Sequence, residues 1–160
     1  PGPLLDPAQE QAQLQLAPSP TLPRRGTNLL FSSDNLAKIA PLAGTLGIEL
    51  THADAEEVRG GMDWAPEKCT AGGVLHGGAL MALADTLGGV CAFLNLPDGA
   101  TTTATVESKT NFFRAVREGR VEGVTRPLHV GRSFIVVQTD LMDGEERRVA
   151  QVTQTQEVLS

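Results

Sequence analysis

Apolar positions change their period along this chain, and the changes mark its elements. Between Ser33 and Leu46, Leu36, Ile39, Ala40, Leu42 and Ala43 recur at helical spacing. They predict a short helix, capped by Ser33 or Asp34 and broken or kinked at Pro41. "GIELTHADAEEVRGGMDW" then alternates, with Ile48, Leu50 and His52 on one side, and predicts a strand, a turn and a second strand. "APEKCTAGG" reads as a loop. "GGVLHGGALMALADTLGG", Gly72 to Gly89, returns to a helical pattern that begins near His76 and ends near "NLPDG". Beyond it the period is two, in "TTTATVESKTNFFRA", "GRVEGVTRPLHVG", "RSFIVVQTDLMDG" and "RRVAQVTQTQEVL". Hairpin-type turns fall at Glu118-Gly119, Gly131 and "DGEE". Pro127 is awkward in a central strand and marks a bulge, an edge or an interruption.

The order is helix, two strands, one long helix, four strands. This predicts an α+β fold with an antiparallel sheet and one dominant helix, which must bury a face against the sheet. If the sheet curls around that helix, small residues are needed on several of its sides. Gly77, Gly78, Ala79, Ala82, Ala84, Gly88 and Gly89 supply them.

Composition separates the ends of the chain. Residues 1–27 hold six of the ten prolines and many glutamines, and read as an extension lying on the surface or on a partner subunit. Residues 28–160 form the folded domain, and the length of 160 suits a single one. A net charge of −6 argues against a nucleic-acid partner, which calls for a basic face. The two cysteines, Cys69 and Cys91, have no metal or redox spacing and read as free thiols. No apolar run approaches the roughly 20 residues of a membrane span, and no signal-peptide pattern is visible. The expectation is a cytoplasmic protein with no membrane partner.

Each glycine inside a helix costs about 0.5–1 kcal/mol relative to alanine. Gly88 and Gly89 offset this if they allow close helix–sheet contact. Gly77 and Gly78 sit at the helix start, where backbone N–H groups lack intrahelical partners and carry the positive end of the helix dipole. A carbonyl oxygen can approach those donors, as in an oxyanion hole. His76, at the N-cap, either orients the loop or contacts the same carbonyl. Asp85, among Leu83, Ala84 and Leu87, is either a solvent-face acid or a partly desolvated carboxylate suited to be a general base or nucleophile. His52, His76 and His129 have no metal-ligand spacing, so no metal site is assigned. No dinucleotide fingerprint, phosphate loop or nucleophile elbow is present.

"GGVLHGGALMALADTLGG" resembles the central-helix motif of hotdog-fold acyl-CoA thioesterases, nearest the 4-hydroxybenzoyl-CoA and phenylacetate-pathway members. The shared pattern is Gly73, His76, Gly77 and Gly78, then an acid nine residues after the histidine, Asp85. "NFFRAVREGRV" is similar to the family's N-F-x-R-P-x-x-x-G segment, with Ala115 in place of the proline, and "HVGRS" resembles the turn that feeds the next strand. The resemblance runs from about Leu46 to Leu159.

It implies a hotdog fold, in which a curved antiparallel sheet wraps one long central helix. It implies an enzyme that hydrolyses an acyl-CoA to a free acid and CoA, with no cofactor beyond the CoA of the substrate. It implies a homodimer, assembled as a dimer of dimers. Asp85 would be the catalytic carboxylate, Gly77 the amide that polarises the thioester carbonyl, and His76 an ordering residue. Thr70 stands where the family often has Asn or Gln, which leaves water positioning open. Thr105 is the best match to a hydroxyl residue found on the strand after the helix, with Thr103 the alternative. Gly89 stands where other members have Thr. Gly78 joins the substrate-binding set, and Arg114, Arg132 and Ser133 are candidates for the CoA phosphates. The rival functions are an acyl-CoA-binding module without turnover and a hotdog hydratase or dehydratase. The latter typically place Asp before His, the reverse of the order here.

Overall fold

The computed structural model describes residues 33–160. The expected extension over residues 1–27 and the capping roles of Ser33 and Asp34 lie outside the described residues and side chains. Helix α1, Ser33–Ile39, and helix α2, Pro41–Thr45, replace the single short helix; the break falls at Ala40, immediately before Pro41. Pro41 opens α2 at a position where its missing N–H is no loss. Leu36 and Ala43 turn inward and are buried.

Strands β1, Glu49–Ala53, and β2, Val58–Asp63, form the expected hairpin. A bulge between Leu50 and His52 shifts the register, and this corrects the expected alternation. His52 turns out to solvent, where Nε2 lies 2.8 Å from Asp54 Oδ2. The segment read as a loop carries two short 3-10 turns and a two-residue ladder. In the ladder β3, Cys69–Thr70, pairs with β4, Val74–Leu75. Gly72 and Gly73 make its turn at φ 78° and 69°, in the left-handed region that favours glycine.

Helix α3 is Gly77–Leu94, 18 residues and five turns, with His76 as its N-cap. By length and composition it is apolar enough to cross a membrane, which the expectation of no such run did not anticipate. In the fold its apolar side chains serve the core instead. Leu80, Leu83, Ala84, Leu87, Val90 and Cys91 are buried against the sheet.

After α3 come β5, Thr102–Phe112; β6, Arg120–Val130; β7, Phe134–Met142; and β8, Arg148–Leu159. Among the described residues the main sheet has six strands in the order β1-β2-β6-β7-β8-β5, with every pair antiparallel. Its inward positions, including Val121, Ile135, Val137, Leu141 and Val152, pack on α3. This is the α+β hotdog arrangement. Pro127 lies at a bulge in β6 beyond Thr125, the last residue of β6 paired with β2, so its missing N–H removes no ladder bond on that side. Strand β5 is an edge, eleven residues long and exposed along most of its length.

Candidate active site

The predicted site residues gather in two places, one at the start of α3 and one near its middle. The first is the helix start. His76 Nδ1 accepts a hydrogen bond from the Gly78 N–H at 2.8 Å, so the imidazole fills the N-cap role usually taken by Ser, Thr, Asp or Asn. An accepting Nδ1 carries no proton, which places the proton of the neutral ring on Nε2. The Gly78 donor is thus engaged within the chain. The neighbouring Gly77 N–H has no acceptor among the described residues, and it points out of the positive end of the helix.

The approach to this helix start is held from several directions. Trp64 Nε1 donates to the Gly73 carbonyl at 3.1 Å and Arg117 donates to that of Gly72 at 2.7 Å. The Leu75 N–H donates to Val116 O and the His76 N–H to Lys68 O. In front of Gly77 lies a cleft of about 430 Å³, lined by Thr70, Leu75, Leu80, Phe112, Phe113 and Arg114 among others. The Phe112 ring roofs Gly77 so closely that an added Cβ would lie 3.1 Å from it. Thr70 and Arg114 therefore share a cleft with Gly77.

The second place is two turns along α3. Asp85 lies on the exposed stripe of the helix, with Gly78 and Met81, beside the β5 edge. It is not a free solvent-face acid. Its Oδ1 accepts from Thr105 Oγ1 at 3.2 Å and from Gln154 Nε2 at 2.7 Å. Gln156 Nε2 in turn donates to Thr105 Oγ1 at 2.8 Å. Of the two threonines considered on this strand face, the structure brings Thr105 to Asp85.

Gln154 and Gln156 did not stand out in the sequence. Their signal was present: Ala150, Val152, Gln154, Gln156 and Val158 share the inward parity of β8, and two amides interrupt an apolar series. Gly88 exists for one of them, since a Cβ there would lie 2.0 Å from Gln154 Oε1. Gly89, by contrast, faces open space.

Arg132 and Ser133 are exposed in the β6–β7 turn and do not join Arg114 within one chain. They lie on the side of the Asp85 cluster: Ser133 O accepts from the Val158 N–H at 2.9 Å, and Val158 is two residues from Gln156. Among the described residues no group of three metal-ligating side chains occurs.

The family model of the Thioesterase superfamily matches residues 72–150, which contain both clusters except Thr70, Gln154 and Gln156. The proofreading thioesterase EntH of Cronobacter turicensis is 35% identical over 114 residues, covering 71% of this chain and 82% of that protein. The 1,4-dihydroxy-2-naphthoyl-CoA hydrolase of Escherichia coli is 33% identical over 106 residues, covering 66% and 77%. A mutant thioesterase from Pseudomonas aeruginosa superposes with a TM-score of 0.76 at 26% identity, over 85% of this chain and 96% of that one.

Proposed function

This chain belongs to the thioesterase superfamily and is a thioester hydrolase, and from that premise we propose that it cleaves acyl-CoA thioesters to a carboxylic acid and CoA. Asp85 supplies the carboxylate and the Gly77 amide polarises the thioester carbonyl. The observation that carries this reading is the presence of a carboxylate oriented by two hydrogen bonds together with a helix N-terminal amide that has no acceptor among the described residues. In one course Asp85 attacks the thioester carbon, CoA leaves as the thiolate, and water hydrolyses the resulting anhydride. In the other Asp85 takes a proton from water as that water attacks. Both give the same products. The cleft, with Leu75, Leu80, Phe112 and Phe113, suits an apolar or aromatic acyl group. A relative named as a CoA hydrolase of an aromatic acid supports the same class.

The two groups serve one substrate across a two-fold dimer. Eight residues of helix separate Gly77 from Asp85, about 12 Å along the axis. A thioester carbon cannot lie within about 3 Å of both. Gly77 rests against Phe112 and Asp85 against Thr105, seven residues apart on the same exposed edge strand. An antiparallel β5–β5 pairing with its axis midway, near Ser108 and Lys109, sets Phe112 of one copy opposite Thr105 of the other. The amide of one helix then faces the carboxylate of its mate. The same axis carries Arg114 toward Thr103, whose ladder partner Val158 bonds to Ser133, and so gathers the proposed phosphate ligands. The pairing satisfies the open edge of β5 and covers Met81, Val106, Phe112 and Phe113, all more than a third exposed in the single chain.

A thiol-release assay across aromatic and aliphatic acyl-CoAs tests the function. Release that depends on Asp85 is expected; no release from any of them contradicts the reading.

A further inference from the structure

We propose that Gln154 and Gln156 are positioning residues that hold Asp85 by one carboxylate oxygen, Oδ1, and leave the other, Oδ2, to react. The proposal rests on the reading of Asp85 as the catalytic carboxylate.

Both glutamines are closed off from solvent, Gln154 at 0% and Gln156 at 1% exposure, beneath an otherwise apolar helix. A buried amide is disfavoured unless its donors and acceptors are matched. Gln154 is only half matched: its Nε2 bonds Asp85, while its Oε1 is buried with no hydrogen-bond partner. The helix also gives up a side chain at Gly88 to make room for that oxygen. A valine or leucine, the residue type at neighbouring inward positions of the sheet, would fill the space without an unmatched acceptor. A packing role therefore does not explain the amide, whereas a fixed donor to Asp85 does.

Gln156 acts one step back. Its N–H occupies a lone pair of Thr105 Oγ1, which directs the threonine hydroxyl hydrogen toward Asp85 Oδ1. The chain of donors thus runs one way, from Gln156 to Thr105 to Asp85, and Gln154 adds a second donor to the same oxygen. No hydrogen bond to Oδ2 occurs among the described residues. Two donors on one oxygen fix the rotation of the carboxylate. Oδ2 is then the atom presented to the thioester carbon or to a water.

The test uses the full chain and the best substrate among benzoyl-, phenylacetyl- and octanoyl-CoA. Gln154→Met keeps the volume and removes the donor. The expected result is a kcat lower by about 10–100-fold with a KM within about twofold, the split a fixed donor to the reacting carboxylate produces. Thr105→Val, on the exposed edge strand, removes the second donor and is expected to lower kcat with the same unchanged KM even if Gln154→Met does not fold, whereas Thr105→Ser keeps the hydroxyl and most of the kcat. An unchanged kcat in the folded Gln154→Met variant, or in Thr105→Val, overturns the proposal while an inactive Asp85→Asn leaves the reading of Asp85 standing. Near-normal turnover by Asp85→Asn overturns that reading and the proposal together.

Discussion

Gly77 and Asp85 lie on the same helix and at opposite ends of the same edge strand: Gly77 meets the ring of Phe112, and Asp85 meets the hydroxyl of Thr105. Neither is near enough to the other to share a substrate within one chain.

Asp85→Asn keeps the size of the side chain and removes its negative charge. Turnover is expected to fall by two or more orders of magnitude, about 3 kcal/mol in barrier. CoA affinity, read by titration calorimetry, should stay close to wild type. Turnover within a few-fold of wild type would return Asp85 to the role of a solvent-face acid.

Arg132→Ala tests the phosphate assignment. Its exposed turn is remote from the thioester, so the substitution should weaken CoA binding by about tenfold and leave kcat nearly unchanged. Equal binding of free CoA by the variant and the wild type would remove Arg132 from the site.

Cys91 and Cys69 should differ sharply toward a thiol reagent. Cys91 is buried, and burial first, with the Asp54 carboxylate second, pushes its thiol up to about 12. Cys69 is partly exposed. At pH 8 the native protein should react at Cys69 and react at Cys91 only after denaturation. The folded state also keeps the Cys91 proton where the unfolded chain loses it. That contribution to stability is complete below about pH 9 and declines as pH rises toward 12. Rapid labelling of both thiols in the native state would contradict this.

Leu87→Ala measures how tightly the sheet wraps the helix. Leu87 is fully buried, and its methyl groups sit where Cβ atoms at Gly60 and Gly123 would be, 2.9 and 2.5 Å away. Removing it should cost about 2–5 kcal/mol, read by urea denaturation at fixed protein concentration. A loss below about 1 kcal/mol would mean that the strands close over the gap.

Much of this layout was legible in the sequence because periodicity reports which face of an element is buried. The switch from period 3.6 to period two located α3 and the four strands after it, and Pro41 and Pro127 marked a break and a bulge for reasons of backbone geometry alone. Bulges themselves leave little trace in a pattern. The one after Leu50 turned His52 outward against its expected side. The His76–Gly77–Gly78 start and Asp85 stood out as costly residues for a helix. Gln154 and Gln156 did not, because their meaning depends on a neighbour 69 residues away for Gln154 and 51 for Gln156. Strand alternation shows that they face inward but not what they face.

The central claim is that each site draws its amide from one chain and its carboxylate from another, and mixed dimers of two inactive variants test it most directly. Asp85→Asn lacks the carboxylate. Gly77→Pro removes the amide donor at a backbone position that admits proline, with the Phe112 ring, 3.1 Å from the added Cβ, giving way slightly. Co-refolding equal amounts, with mixed dimers quantified by native mass spectrometry of differently tagged chains, gives dimers in which one of the two sites has both groups intact. The account predicts recovery of about a quarter of wild-type activity on random pairing. Mixed dimers that form in that proportion and show no thiol release would contradict it.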